Sequence, residues 1–340
     1  MRRLHQTNPP TRPAIPRRPV KKAIAPMTPP IIRPTPLSGR RQAEADASGA
    51  PGAPRAGPVS RIVRVNGIAM TYYEWCGAPG SHDAPLVIAH ATGFHGRCYG
   101  AIAELFPERR VLALDLRGHG QSEGEPITHW QTLVDDVTGF VDQLRLRRAI
   151  GMGHSMGAHV LLQAALERAE AFSRLVLFDP VILAPDFYQI DEHAHAEPHP
   201  TIRRKRDFAS PEAMMERFAE RSPYNLFTTR VFEDYCRYGL QERFGGDFVL
   251  ACAPEMEASI YGTSRTNAAI HDTARAVDLP VWVVRARQGM FNDFTGSPTW
   301  PQLASTMPQG VDIHRPDRTH FHPFEDPEDA ARIIAEAARA

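Results

Sequence analysis

The sequence predicts an α/β fold: a mostly parallel, doubly wound sheet carrying one inserted helical lid. Three observations predict it. Short apolar runs alternate with segments of helical periodicity from about residue 85 onward. The alternation breaks over Ala184 to Asp278 and then resumes. A Gly-x-Ser-x-Gly sequence falls where one strand passes into the following helix.

The elements follow in order. RIVRVNGIAMTYYEW reads as a β-hairpin whose turn, Asn66-Gly67, supplies the positive φ angles that such turns need. PLVIAH (85–90) and VLALDL (111–116) are short continuous apolar runs, as expected of strands covered on both faces. Trp130, Leu133, Val134, Val137, Phe140, Val141 and Leu144 recur at helical spacing. A third strand, 149–153, leads into an apolar helix beginning near Met156, and 175–178 forms a fourth. Such alternation implies parallel pairing through right-handed crossovers.

Residues 184–278 lack strand-like runs and carry helical segments such as ASPEAMMERFAERS. An insertion late in an open sheet is well placed to act as a lid over the carboxyl ends of its strands. PVWVV (280–284), a helix around Leu303 and VDIH (311–314) then complete the alternation. The closing helix is announced by Asp326 as N-cap, Pro327 in the first turn, and Glu328 and Asp329 behind it. The expected division is an arm over 1–58, a core over 59–183 and 279–340, and a lid over 184–278.

The arm is a separate physical regime. Residues 1–60 hold eleven Lys or Arg against Glu44 and Asp46, leaving 28 basic and 37 acidic residues beyond them, so a formal charge of zero hides an asymmetry. They also hold thirteen of the 31 prolines. Proline forbids helix continuation and large apolar residues are few, so the arm reads as disordered or polyproline-like, with the fold starting near Pro58. A basic tether for nucleic acid or membrane is weighed against a non-essential extension, and the latter is adopted. No stretch approaches the ~20 apolar residues of a membrane span, and no basic-then-apolar secretion signal opens the chain. Neither nucleic acid nor a membrane is therefore expected as a partner. Cys76, Cys98, Cys236 and Cys252 form no CxxC pair and no metal-ligand spacing. They are read as buried free thiols in a reducing, cytoplasmic setting, and neither metal nor organic cofactor is expected.

The chemistry is carried by Gly153-His154-Ser155-Met156-Gly157. A tight strand-to-helix turn lifts the Ser155 hydroxyl above the sheet edge and tolerates only small residues two places either side. A serine needs a base to accept its proton. His320, in DRTHFHPFEDPE just before the closing helix, is the candidate, with His322 as a rival. The acid that orients the imidazole should lie between serine and histidine in the chain. Asp293 and Asp179 both fit that order; Asp179 sits directly at a strand end and Asp293 several residues beyond its strand, and Asp293 is favoured. Two N–H donors must face the developing oxyanion: the backbone of Met156, and that of Thr92 in the loop His90-Ala91-Thr92-Gly93-Phe94-His95-Gly96. Phe94 and His154 are expected to line the substrate pocket, and His90 to order the loop.

Together HATGFHG, DLRGHGQS (115–122), GHSMG, LVLFDP and THFHPFEDPE resemble the α/β-hydrolase superfamily, in its branch of single-domain hydrolases with a helical cap. The resemblance covers Ser60 to Ala340. It implies a serine hydrolase of a small ester, thioester, amide or lactone; a carbon–carbon hydrolase of diketones with the same triad, and a ligand-binding receptor on the same fold, are the alternatives. It also implies that DLRGHG is a structural turn, so Asp115 and His119 take no catalytic role. A serine at the elbow argues against epoxide hydrolases and dehalogenases, whose nucleophile there is aspartate. Two departures are evident. Ala91 stands where many members have glycine, and ARQGMFNDFTGSP lacks the usual short Gly-to-Asp spacing.

Within the lid, DEHAHAEPHP gathers Asp191, Glu192, His193, His195 and His199, read as a solvated loop rather than a metal site. RRKR (203–206) is read as a solvated helix face. Tyr224, Phe227 and Tyr235 are read as lid packing.

Overall fold

The structure is a computed structural model that describes residues 57–78, 83–188, 199–289 and 293–340. The described residues all belong to one compact unit. The arm read over 1–58 lies outside the described residues except for its last two positions.

Strands β1 (Val59–Val65) and β2 (Ile68–Trp75) form the hairpin around Asn66 and Gly67, whose φ angles are 42° and 78°. β3 (Leu86–Ala89) is followed by a 3-10 turn at Gly96–Tyr99 and the short helix α1 (Gly100–Ala103). β4 (Val111–Leu114), α2 (Gln131–Gln143), β5 (Ala149–His154), α3 (Met156–Glu167) and β6 (Phe172–Phe178) continue the alternation.

The insertion carries β7 (Asp207–Phe208), α4 (Pro211–Phe218), α5 (Thr229–Tyr238), β8 (Leu240–Glu242), β9 (Phe248–Leu250) and α6 (Pro254–Gly262). After α7 (Ile270–Ala276), β10 (Val281–Ala286) and β11 (Gly310–Arg315) close the sheet, and α8 (His322–Glu325) and α9 (Pro327–Arg339) end the chain.

The main sheet has eight strands in the order β1-β2-β4-β3-β5-β6-β10-β11. Only β2 runs against its neighbours; every pairing from β4 to β11 is parallel. Alternate side chains of the central strands feed two cores. Val87, Ala89, Leu112 and Leu114 pack with Val134, Val137 and Phe140 of α2 and Val160 of α3. Leu86, Ile88, Val111 and Ala113 pack with Ile333 and Ile334 of α9. This is the period-two alternation of a strand covered on both faces, which explains the continuous apolar runs in the sequence. Asp326 caps α9 by accepting the Asp329 N–H at 3.0 Å.

Three expectations need correction. The insertion is not purely helical: β7, β9 and β8 form a small antiparallel sheet. Strands of two or three residues are too short to show alternation, so the pattern passes them by. The helix expected around Leu303 is only a 3-10 turn at Ala304–Thr306, bracketed by Pro301 and Pro308, which leave no room for a longer helix. Of the four unpaired cysteines, three are buried and Cys76 is exposed. Among the described residues no helix is long and apolar enough to cross a membrane.

Candidate active site

β5 ends at His154 and α3 begins at Met156, so Ser155 makes the whole turn between them, at φ 57° and ψ −115°. A non-glycine residue in that region is strained and is held there only by its surroundings. The flanking glycines make the turn sterically possible. A Cβ on Gly157 would lie 2.2 Å from the Ala89 carbonyl oxygen, and one on Gly153 would lie 2.4 Å from the Ala158 Cα. The Ser155 N–H donates to the Phe178 carbonyl at 2.9 Å, and its own carbonyl accepts from Val181 and His159.

The imidazole of His320 bridges the remaining parts. Its Nε2 lies 3.0 Å from the Ser155 hydroxyl and its Nδ1 lies 2.5 Å from Oδ2 of Asp179. His322, the rival, instead meets Asp329 at 2.8 Å, away from the serine. Asp293, the acid favoured from sequence, does not reach the imidazole. Its carboxylate accepts from Arg287 at 2.9 Å, from the Thr295 N–H at 2.9 Å and from the Thr295 hydroxyl at 2.7 Å. The reason is topological. β6 lies beside β5, and Asp179 follows its last residue directly, whereas Asp293 lies seven positions beyond the end of β10 in a loop folded on itself.

Asp179 is buried, and burial raises a carboxyl group's pKa. The His320 contact, the Ser297 hydroxyl at 2.5 Å and the Ala286 N–H at 3.0 Å outweigh that, holding it below its ordinary value and ionised.

His154 does not line the pocket. It is fully buried; its Nε2 lies 2.8 Å from the His320 carbonyl oxygen and its Nδ1 2.9 Å from the Tyr99 hydroxyl. Burial, reinforced by the neighbouring His320, lowers its pKa to about 3. A neutral ring facing a carbonyl must donate through Nε2, so Nδ1 accepts the Tyr99 hydroxyl proton. Tyr99 in turn accepts the Ala91 N–H at 3.1 Å. One buried chain of hydrogen bonds thus ties the loop of Thr92 to the loop of His320. Phe94 also leaves the pocket, packing among Phe227, Tyr235, Phe321 and Phe324 at centroid distances from 4.9 to 5.9 Å.

The loop after β3 is braced from below. His90 accepts the Leu116 N–H at 2.8 Å and His119 accepts the Gly93 N–H at 3.1 Å. Burial keeps both rings neutral, His119 at about 4. Asp115 accepts from the N–H groups of Gly96 and Gln121, both at 2.8 Å, so DLRGHG does structural service to this loop. Among the described residues, neither the Met156 nor the Thr92 N–H has a protein acceptor.

Ser155, His320 and Thr92 open onto a cavity of about 230 Å³. Trp130, Val181, Leu183, Tyr261 and Phe294 give it apolar walls, while Arg265 and Asp293 bring charge. Asp293 is therefore a wall residue. Trp130, counted in the sequence as a helix-face residue, precedes α2 and donates from its ring N–H to the Ile260 carbonyl at 3.0 Å. Nothing in the sequence signals Arg265 or Tyr99, whose positions depend on cap and loop packing.

Elsewhere in the insertion, Arg204 is no solvated helix residue. It pairs with the buried Glu257 at 2.7 Å and meets the hydroxyls of Tyr224 and Tyr235, against the backbone of Gly93. The residues Asp191, Glu192, His193 and His195 lie outside the described residues; His199 is described, capping a turn by accepting from Thr201. Among the described residues no cluster has the makings of a metal site.

A family model described as the alpha/beta hydrolase family matches residues 86–333. The chain belongs to the alpha/beta hydrolase family. Over 166 residues this member is 27% identical to an sn-1-specific diacylglycerol lipase of Danio rerio, covering 48% of the chain and 51% of that protein. It is 34% identical over 121 residues to the monoglyceride lipase of Mus musculus, covering 33% and 39%. The chain thus spans about half or less of the length of these curated relatives. Among solved structures, E-2-(acetamidomethylene)succinate hydrolase superposes with a TM-score of 0.65 at 19% identity, covering 83% of this chain and all of that one. The enol-lactonase of Burkholderia xenovorans LB400 gives 0.59 at 19% identity, covering 82% and 100%. These likenesses are of fold.

Proposed function

We propose that this protein is a serine hydrolase that cleaves a small acyl compound through an acyl-enzyme on Ser155. The observation that carries this reading is the His320 imidazole held between the Ser155 hydroxyl at 3.0 Å and the Asp179 carboxylate at 2.5 Å. An ionised Asp179 keeps the proton on Nδ1, so Nε2 is free to accept the serine proton as Oγ attacks a carbonyl carbon. The oxyanion that forms is received by the N–H groups of Met156 and Thr92, with the N-terminus of α3 adding favourable potential. His320 then protonates the leaving group, and water repeats the sequence on the ester of Ser155.

The cavity sets the size. At about 230 Å³ it falls below the range of about 300–1,000 Å³ usual for drug-sized ligands, which supports a compact ester, thioester, amide or lactone over a long acyl chain. The test is labelling with a fluorophosphonate alongside hydrolysis of short esters. The wild type should be labelled at Ser155, and Ser155→Ala should lose both labelling and turnover while keeping its circular dichroism spectrum. Turnover that survives this substitution would refute the assignment.

A further inference from the structure

The two charged residues of the cavity wall differ in one respect that bears on the substrate. Asp293 is neutralised where it stands: Arg287 and two donors of Thr295 surround its carboxylate. Arg265 has no carboxylate partner among the described residues. Its guanidinium carbon lies over the face of Phe187, 5.7 Å from the ring centroid. Other arginines of the same insertion do have acidic partners: Arg204 pairs with Glu257, Arg230 with Asp234 and Arg243 with Asp207. Arg265 is partly buried and shares its cavity with Ser155 and His320 among largely apolar walls.

A guanidinium withdrawn partly from water beside apolar surface gains most from an anion that satisfies its planar fork, and a carboxylate matches that fork with two parallel hydrogen bonds. We propose that Arg265 receives a carboxylate borne by the substrate, so that the enzyme acts on small monoanionic acyl compounds. This deepens, and rests on, the serine hydrolase reading. The small cavity bounds the carboxylate to within a few carbons of the scissile carbonyl. Trp130, Val181 and Leu183 then cover the intervening methylenes. The charge sits either on the acyl side or on the alcohol side of the bond, and the chemistry at Arg265 is the same for both.

Two matched pairs of esters test it. Monomethyl glutarate against methyl pentanoate places the charge on the acyl side; 4-acetoxybutanoate against butyl acetate places it on the alcohol side. For at least one pair the wild type should favour the anion in kcat/KM by about 10- to 100-fold, mainly through KM. Arg265→Gln should collapse that ratio towards one, and Arg265→Lys should restore part of it. A wild-type ratio near one in both pairs, or a ratio that survives Arg265→Gln, would overturn the proposal and leave the serine hydrolase reading standing on neutral-ester turnover. Labelling of Ser155 without turnover of any of the four esters also overturns it. Absence of both labelling and turnover would sink the serine reading, and this inference with it.

Discussion

His154 gives its Nε2 proton to the main-chain oxygen of His320 at 2.8 Å, so the residue before the proposed nucleophile holds the residue proposed as its base. The same ring takes the Tyr99 proton on its other side, and Tyr99 holds Ala91, next to the proposed oxyanion donor Thr92. The ring acts on geometry, because it lies beneath the cavity. We expect His154→Leu to lower kcat by about 10- to 100-fold with little change in KM, since a displacement near 1 Å at a reacting group costs about that much. Tyr99→Phe, which removes only the hydroxyl, should give a smaller loss of the same kind. Steady-state kinetics on a short ester decide it; a change confined to KM would rule out positioning of the base.

The two aspartates separate cleanly in their expected effects. Asp179→Asn keeps the shape but favours the wrong imidazole tautomer, and should lower kcat by about 10³- to 10⁴-fold. Asp293→Asn disturbs a wall residue engaged with Arg287 and Thr295 and should cost less than about tenfold. Equal losses from the two would mean that Asp293 acts on the imidazole in turnover.

Glu257 neutralises Arg204 inside the cap, with both side chains largely withdrawn from water. Glu257→Gln leaves a guanidinium without its counter-charge, a change that typically costs about 3–5 kcal/mol. Because the pair lies against Gly93, the oxyanion loop should loosen with it. Urea denaturation reads the first effect and esterase kcat the second. A stability loss below about 1 kcal/mol would show that the cap tolerates the charge.

The acid side of the stability profile follows from the buried histidines. Burial lowers His95, His119 and His159 to about 4 and His154 to about 3, and pushes His90 well down. Their unfolded values lie near 6.5, so between about pH 6.5 and 4 the unfolded chain binds protons that the folded chain refuses. Stability therefore falls as pH falls through that window, by about 1 kcal/mol per histidine between pH 7 and 5.5. Asp115 works the other way, because burial raises it to about 6 and its folded form takes up a proton earlier. The five histidines outweigh Asp115, so the urea midpoint should drop steeply from pH 7 to 5.5. A flat profile would mean that these rings are charged in the native state.

Much of this molecule is legible from its residues alone. The strands of the main sheet, the hairpin at Asn66-Gly67, the cap of α9 and the stretches that bring Ser155 and His320 together follow from local pattern and turn chemistry. What local pattern cannot reach is where a loop goes once it leaves its strand. Asp293 follows a later strand and so fits the chain order. Asp179 sits on the adjacent strand, though, and adjacency in the sheet is a long-range fact. His154 and Phe94 fail as pocket residues for a related reason. Spacing fixes that they stand beside the Ser155 turn and in the loop after β3, but not whether they face the cavity or the core beneath it. Arg265 depends on the course of the whole insertion, which includes strands too short to leave a periodic trace.

The sheet order has a consequence for the chain as it is made. Ser155 and Asp179 come from neighbouring strands, but His320 is 165 positions beyond the serine and follows β10 and β11 in the chain. On the mechanism proposed above, a chain emerging from the ribosome carries an inert alcohol until its final strand is in place. Reactivity at Ser155 thus serves as a readout of completed folding.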